Sequence, residues 1–152
     1  MTISIALYQP DIAGNTGAVM RTAACLGLRI EIIEPTGFEL SDRSLKRAGM
    51  DYLSLATLTK HVDFEAFETW RKAEARRLLL MTTKADAVVW DFDFKSGDIL
   101  MFGRETAGVP DEVHAAADAR LTIPMRAGAR SMNLSASVAL VAGEAVRQLR
   151  GR

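Results

Sequence analysis

Three short stretches concentrate the side chains that could do chemistry: NTGAVMR at 15–21, FGRETAGVP at 102–110 and IPMRAGARSMNLS at 123–135. In the first, Gly17 and Arg21 are four residues apart and share a helix face, so an arginine stands beside a place of close backbone approach. A planar five-donor fork suits a phosphate or a developing oxyanion, but taken alone the stretch reads sooner as an N-capped helix with an exposed arginine. In the second, Gly103 and Gly108 flank Glu105, so main-chain groups can face a ligand while Glu105 either accepts from it or caps the loop. In the third, Pro124 stiffens a strand end before a small-residue loop and a polar box. One capping side chain serves a helix start, yet Ser131, Asn133 and Ser135 crowd one turn behind Arg130, so most of that polarity calls for a ligand.

Other chemistries lack their signatures. No G-x-x-x-x-G-K-[ST] phosphate loop is present, no G-x-G-x-x-G follows a strand, and no G-x-S-x-G elbow occurs. The single cysteine and the isolated His61 and His114 form no zinc-ligand spacing, so no metal is expected and each histidine reads as a surface or helix residue. Cys25, inside VMRTAACLGL, reads as a buried inert thiol in a reducing, cytoplasmic setting.

The elements that must position these loops follow from hydrophobic periodicity. ISIAL (3–7), RIEIIEP (29–35), RLLLMTT (77–83), DILMFG (98–103) and ARLTIP (119–124) read as strands. Helices are expected over 15–28, opened by Asn15 or Thr16 and closed near Gly27, and after Asp63, where Phe64, Phe67 and Trp70 lie at helical spacing. A short helical piece is expected around Leu45, and another helix begins with Pro110 at its first position. The final helix, from about Asn133 to Leu149, carries Leu134, Val138, Val141 and Ala145 on one stripe, followed by Leu149. Strands alternating with helices imply an α/β fold, a mainly parallel sheet flanked by helices, with ligand sites off the carboxyl ends of the strands. All three polar stretches follow strand ends.

A chain of 152 residues, 49% hydrophobic, fits one domain spanning 1–152. No stretch approaches the ~18 apolar residues of a membrane span, and the N-terminus lacks the pattern of a signal peptide. The 19 basic and 19 acidic residues cancel, which argues against non-specific clamping of a long nucleic acid. Arginine is nevertheless clustered at 42–47, 71–77, 126–130 and 147–152. The cluster RKAEARR mixes signs and reads as solvated surface with intra-helical ion pairs.

In this order, NTGAVMRTA, LMFGRETAGVP and LTIPMRAGARSMNLSASVAL resemble the three signature motifs of the SPOUT superfamily of RNA methyltransferases, over nearly the whole chain. LYQPDIAGNTG, IIEPTGFELSDRSLKRAGMDY and MTTKA resemble the compact group that methylates the ribose of tRNA wobble nucleotide 34, cytidine or uridine. The chain departs from that group at Arg104 and Ala107, where proline and arginine are frequent, and in ALVAGEAV, which is smaller than its aromatic-containing counterpart. The resemblance implies a C-terminal deep trefoil knot, an exception to the rule that chains avoid knots. It also implies a homodimer and an S-adenosylmethionine pocket lined by Met81, Thr82, Gly103, Glu105, Ile123, Met125, Ser131 and Leu134. Arg21 is implied as the catalytic residue, with Ser131 and Asn133 as its companions. An arginine is a poor base, so its expected work is to stabilise the forming alkoxide and clamp a phosphate, leaving the proton's destination open. The implied partner is a tRNA anticodon stem-loop, contacted by Asn15, Arg21, Arg43, Lys46, Arg47, Arg126 and Arg130, with Arg130 serving either RNA or pocket closure. Two other readings keep the fold: methylation of another tRNA or ribosomal RNA ribose, or a catalytically silent knotted RNA-binding protein.

Overall fold

Alternating side chains explain why the strands of this protein lie in the middle of the molecule. In the computed structural model, which describes residues 1–41, 43, 57–129 and 131–151, seven strands form one sheet in which every pairing is parallel. They are β1 (Ser4–Tyr8), β2 (Arg29–Ile33), β3 (Thr57–His61), β4 (Leu78–Met81), β5 (Ala87–Val88), β6 (Ile99–Phe102) and β7 (Ala119–Thr122). Their order across the sheet is β3-β2-β1-β6-β4-β7-β5. Parallel sheets are covered on both faces, so their inner strands are apolar throughout. Ile5 and Leu7 of β1 join one core cluster with Leu79, Leu100 and Phe102; Ala6 and Tyr8 join a second with Leu78, Leu80 and Met101.

Helices α1 (Ala13–Leu26) and α4 (Leu134–Arg150) cover the first face, through Val19, Met20 and Ala23 of α1 and Val138, Val141 and Ala145 of α4. The expected stripe of the final helix is thus found, with Leu134 and Leu149 half-buried at its ends. Helices α2 (Phe64–Ala73) and α3 (Asp111–Ala116) cover the second face through Phe67 and Val113. Asp63 caps α2 as expected, its Oδ1 accepting from the Ala66 N–H at 2.8 Å.

Several expectations need correction. Helix α1 starts at Ala13 with Ile12 as its uncapped N-cap, so Asn15 and Thr16 lie inside its first turn. It ends on Gly27 in the left-handed region (φ 70°), where the Gly27 and Leu28 N–H groups return to Ala24 and Ala23 carbonyls. Pro110 is the N-cap of α3 rather than its first residue. Cys25 is exposed, because the buried stripe of α1 runs through Thr16, Val19, Met20 and Ala23 and turns Cys25 outward. The edge strands β3 and β5 were not foreseen. Both are short and mostly polar or solvent-facing, which erases the apolar run by which a strand is read. The helical piece expected around Leu45 lies outside the described residues.

RKAEARR is not the solvated surface that its mixed charges suggest. Arg71 and Arg76 are buried: Arg71 bonds Glu68 and Asp118, and Arg76 donates to the Gly97 and Thr2 carbonyls and to Ser4 Oγ. Burial pushes the Arg76 guanidinium below its ordinary range, opposed by the nearby Glu31 charge. His61 is likewise no surface residue. It is buried in β3, with Nε2 2.9 Å from Glu31 Oε2 and its ring against Phe67 and Trp70.

Candidate functional site

The strand order brings β6, β4 and β7 side by side, so the loops that leave their carboxyl ends must meet. Between them lies a cavity of about 500 Å³. The β4 loop contributes Met81, Thr82 and Thr83; the β6 loop Phe102, Gly103, Arg104, Glu105, Gly108 and Val109; the β7 loop Thr122, Ile123 and Met125. The segment entering α4 closes the fourth side with Ser131, Met132, Asn133, Leu134 and Ser137, and Asn15 reaches in from α1.

Backbone geometry sets these walls. The Thr82 N–H bonds the Leu121 carbonyl at 2.9 Å, tying the β4 exit to β7. Arg104 and Gly108 exchange two backbone hydrogen bonds of 3.0 Å, closing the β6 loop on itself. That closure needs glycine at 103, where a Cβ would stand 2.8 Å from the Gly108 carbonyl carbon. Gly108 (φ 65°) and Gly128 (φ 88°) occupy the left-handed region in the two turns.

The polar box divides into two jobs. Asn133 is the N-cap of α4, its Oδ1 accepting from Ser135 N–H (2.8 Å) and Ser135 Oγ (2.6 Å). Its Nδ2 donates to Asn15 Oδ1 at 3.2 Å, which joins the first stretch to the third. Ser135 therefore serves the cap, while Ser131 and Asn133 line the cavity.

Glu105 is held from below. Its Oε2 accepts from the Asp11 N–H at 3.3 Å, and Asp11 Oδ2 accepts from Thr106 Oγ1. Glu105 Oε1 and Asp11 Oδ1 are both buried without a partner among the described residues. Burial, and then the neighbouring Asp11 carboxyl, push the Glu105 carboxyl above its ordinary value of 4.5; the Glu105 carboxyl, and then the Thr106 hydroxyl, hold Asp11 below 3.8. A raised glutamate gives stability that is present below its unfolded value and lost as pH rises through its folded value; a lowered aspartate gives stability lost on acidification. Replacing Glu105 by glutamine, which cannot ionise, is therefore expected to shift the Tm difference from wild type in the variant's favour as pH is raised from about 4.5 to neutrality. A difference independent of pH would contradict the assignment.

All eight residues expected to bind a cofactor, Ser131 among them, line this one cavity, as does Asn133. Arg21 does not. It is exposed on α1, six residues beyond Asn15, which on a helix is about 120° around and about 9 Å along. Arg43 and Arg126 are exposed, whereas Lys46, Arg47 and Arg130 lie outside the described residues. Asp11 and Thr106 are not singled out by the sequence, and Arg104 only as a departure from the group's pattern; Arg104 and Thr106 flank Glu105, and only the loop closure brings Asp11 to them.

A family model described as the SpoU rRNA methylase family matches residues 2–143. The chain belongs to that family. The resemblance of its three loops to SPOUT methyltransferases is thereby borne out. Among similar proteins, a tRNA (cytidine(34)-2'-O)-methyltransferase of Ancylobacter novellus is 51% identical over 151 residues, 99% of this chain and 96% of that protein. A solved structure described as giving insights into the 2-OH methylation of C/U34 on tRNA superposes with a TM-score of 0.91 at 42% identity, covering 99% and 98% of the two chains. An AdoMet-bound rRNA methyltransferase from Sinorhizobium meliloti superposes at 0.88 with 26% identity, over 97% of this chain and 57% of that one.

Proposed function

We propose that this protein is an S-adenosylmethionine-dependent methyltransferase that acts on the ribose 2'-hydroxyl of nucleotide 34, the wobble position, in a tRNA anticodon. The observation that carries this reading is the cavity off β4, β6 and β7, closed by Ser131, Met132, Asn133 and Leu134, in a chain that matches wobble-nucleotide methyltransferases along nearly its whole length.

The residues present fit the donor. A volume of about 500 Å³ lies in the range of small-molecule sites. Met81, Phe102, Ile123, Met125 and Leu134 offer apolar surface to an adenine and a thioether, while Thr82, Gly103, Glu105 and Ser131 offer polar atoms. When bound, S-adenosylmethionine supplies a sulfonium methyl that the ribose oxygen takes as the carbon–sulfur bond breaks, so the leaving group needs no acid. The protein's tasks are to position the ribose and stabilise the oxygen as its proton departs. Arg21 is assigned to the second task and to a phosphate clamp, because a guanidinium is a donor and a cation but no base. The hydrogen-bonded Asn15 and Asn133, with Ser131, hold the ribose side of the cavity.

Arg21 lies outside the cavity of its own chain, which supports a homodimer in which a second copy completes each site. Exposed Ile12, Leu26 and Leu140, on or beside α1 and α4, supply apolar surface for it. A dimer also doubles local positive charge, so a chain of zero net charge can offer Arg43, Lys46, Arg47, Arg126 and Arg130 to one stem-loop. Membership of the family supports the knotted C-terminal path, and two core clusters on one sheet support a single domain over 1–152. No helix of the described residues is long and apolar enough to cross a membrane, and no group of three or more metal-ligating side chains occurs among them. The proposed setting is cytoplasmic, with no metal required.

The direct test is methyl transfer from labelled S-adenosylmethionine to an anticodon stem-loop and to the same RNA with a 2'-deoxynucleotide at 34. Transfer to the first and not the second is expected; equal labelling of both would reject the site. The family's name also admits a ribosomal RNA ribose, which labelling of ribosomal RNA with none of the stem-loop would favour. Gly103→Ala is expected to weaken donor binding at least about fivefold, because the Gly108 main chain must move; such overpacking costs about 1–3 kcal/mol. Calorimetric titration checks this, and unchanged donor affinity would mean that the β6 loop is no part of the donor site.

A further inference from the structure

Arginines that this fold buries in whole or part find partners: Arg29 lies against Glu31, Arg71 pairs with Glu68 and Asp118 and Arg77 with Asp98, while Arg76 and Arg120 donate to main-chain carbonyls. The Arg104 guanidinium has neither kind of partner among the described residues. Arg104 is half-buried and, among the described residues, forms no ion pair and is the only lysine or arginine lining the cavity. Its Cα is fixed by the double backbone bond to Gly108, and its guanidinium lies over the Tyr8 ring, 5.9 Å from the centroid. Tyr8 is itself buried and set edge-on against Phe64, so the platform is rigid. Such stacking uses the face of a guanidinium and leaves its five edge donors open. A partly desolvated cation with open donors is costly unless an anion visits it.

Resting on the reading above, two anions visit this cavity: the carboxylate of the donor's methionine end and the RNA phosphates. A zwitterionic methionine end would call for a cation and an anion side by side. Here the two charged neighbours diverge, Arg104 toward Tyr8 and Glu105 toward Asp11. We propose that Arg104, braced on Tyr8 at the cavity mouth, is an RNA-binding residue that holds a backbone phosphate beside the target ribose. A phosphate contact positions the nucleotide without reading its base.

The test compares wild type with Arg104→Ala and Arg104→Lys, using a synthetic anticodon stem-loop with C34 and one with U34. Arg104→Ala is expected to weaken binding of both RNAs equally, about tenfold, and to flatten the dependence of log affinity on log salt by about 0.7, the share of one phosphate on a single strand. Affinity for S-adenosylmethionine by calorimetry should not change, and lysine should recover part of the RNA binding but not all. Loss of donor affinity with RNA binding intact would overturn the proposal in favour of a carboxylate contact, and unequal loss on the two RNAs would replace phosphate by base contact. Because binding is read apart from turnover, a wild type that binds the stem-loop without methylating it would refute the wobble reading while the Arg104 comparison still stands.

Discussion

Arg21→Lys is expected to lower methyl transfer roughly 100-fold while leaving S-adenosylmethionine affinity unchanged. The loss follows from what the ribose oxygen needs as its proton leaves: a fixed cation with two directed donors, one for the oxygen and one for the adjoining phosphate. Preorganised donors of this kind are worth about 10²–10³ in rate. Lysine keeps the charge but gives up the planar fork, and its compact ammonium is more strongly hydrated. Donor binding survives because Arg21 is exposed on α1 and lines none of the cavity in its own chain. Single-turnover kinetics beside calorimetry separate the two. Near-normal turnover would remove Arg21 from catalysis, and a parallel loss of donor affinity would place it in the donor site instead. If a second copy supplies Arg21, mixing Arg21→Lys with a variant defective in donor binding should restore part of the activity through hybrid dimers, and failure of such complementation would argue that each site is built from one chain.

Glu31→Ala should be the most damaging single change to stability. Glu31 is fully buried in the centre of β2, where Ser4 Oγ donates to its Oε1 at 3.3 Å and His61 Nε2 lies 2.9 Å from its Oε2. Arg29 approaches Oε1 at 3.8 Å, and Arg76 enters the same cluster through Ser4. Removing the carboxylate leaves buried polar groups without their acceptor, a loss of about 3 kcal/mol or more. For a chain of this size that corresponds to a Tm lower by roughly 10 °C. Glu31→Gln, which keeps an acceptor, should lose less. The cluster lies away from the loops after β4, β6 and β7, so methyl transfer below the new Tm should persist. A Tm within about 2 °C of wild type would show that the cluster contributes little.

Much of the sheet was legible because parallel strands covered on both faces are apolar throughout. RIEII, LLLM and ILMF announce themselves against polar surroundings, although a buried glutamate hides in the first. The edge strands escaped notice for the converse reason: TLTKH is half-exposed, and a two-residue strand at 87–88 has no period to detect. Charge was misread in the same way. RKAEARR looks like a solvated helix face, yet Glu68, Asp118 and main-chain carbonyls far along the chain make burial of Arg71 and Arg76 affordable. A single window of sequence cannot show partners that arrive from 21 to 74 residues away.

The candidate site divides along the same line. Sequence alone determined which residues are chemically equipped, because glycine, amide, hydroxyl and arginine at strand ends have few structural uses in such density. It also determined the helix that carries Asn133, through the apolar stripe of α4. Only the tertiary structure decided that β6, β4 and β7 are neighbours, so that three separate loops become walls of one cavity. It decided that Asn133 caps a helix and bonds Asn15 at the same time, that Glu105 is held by Asp11, and that Arg104 lies on Tyr8. The physical reason is that strand order and loop closure depend on long-range packing: residue type limits what a side chain can do, and which group it meets is settled only when the sheet assembles.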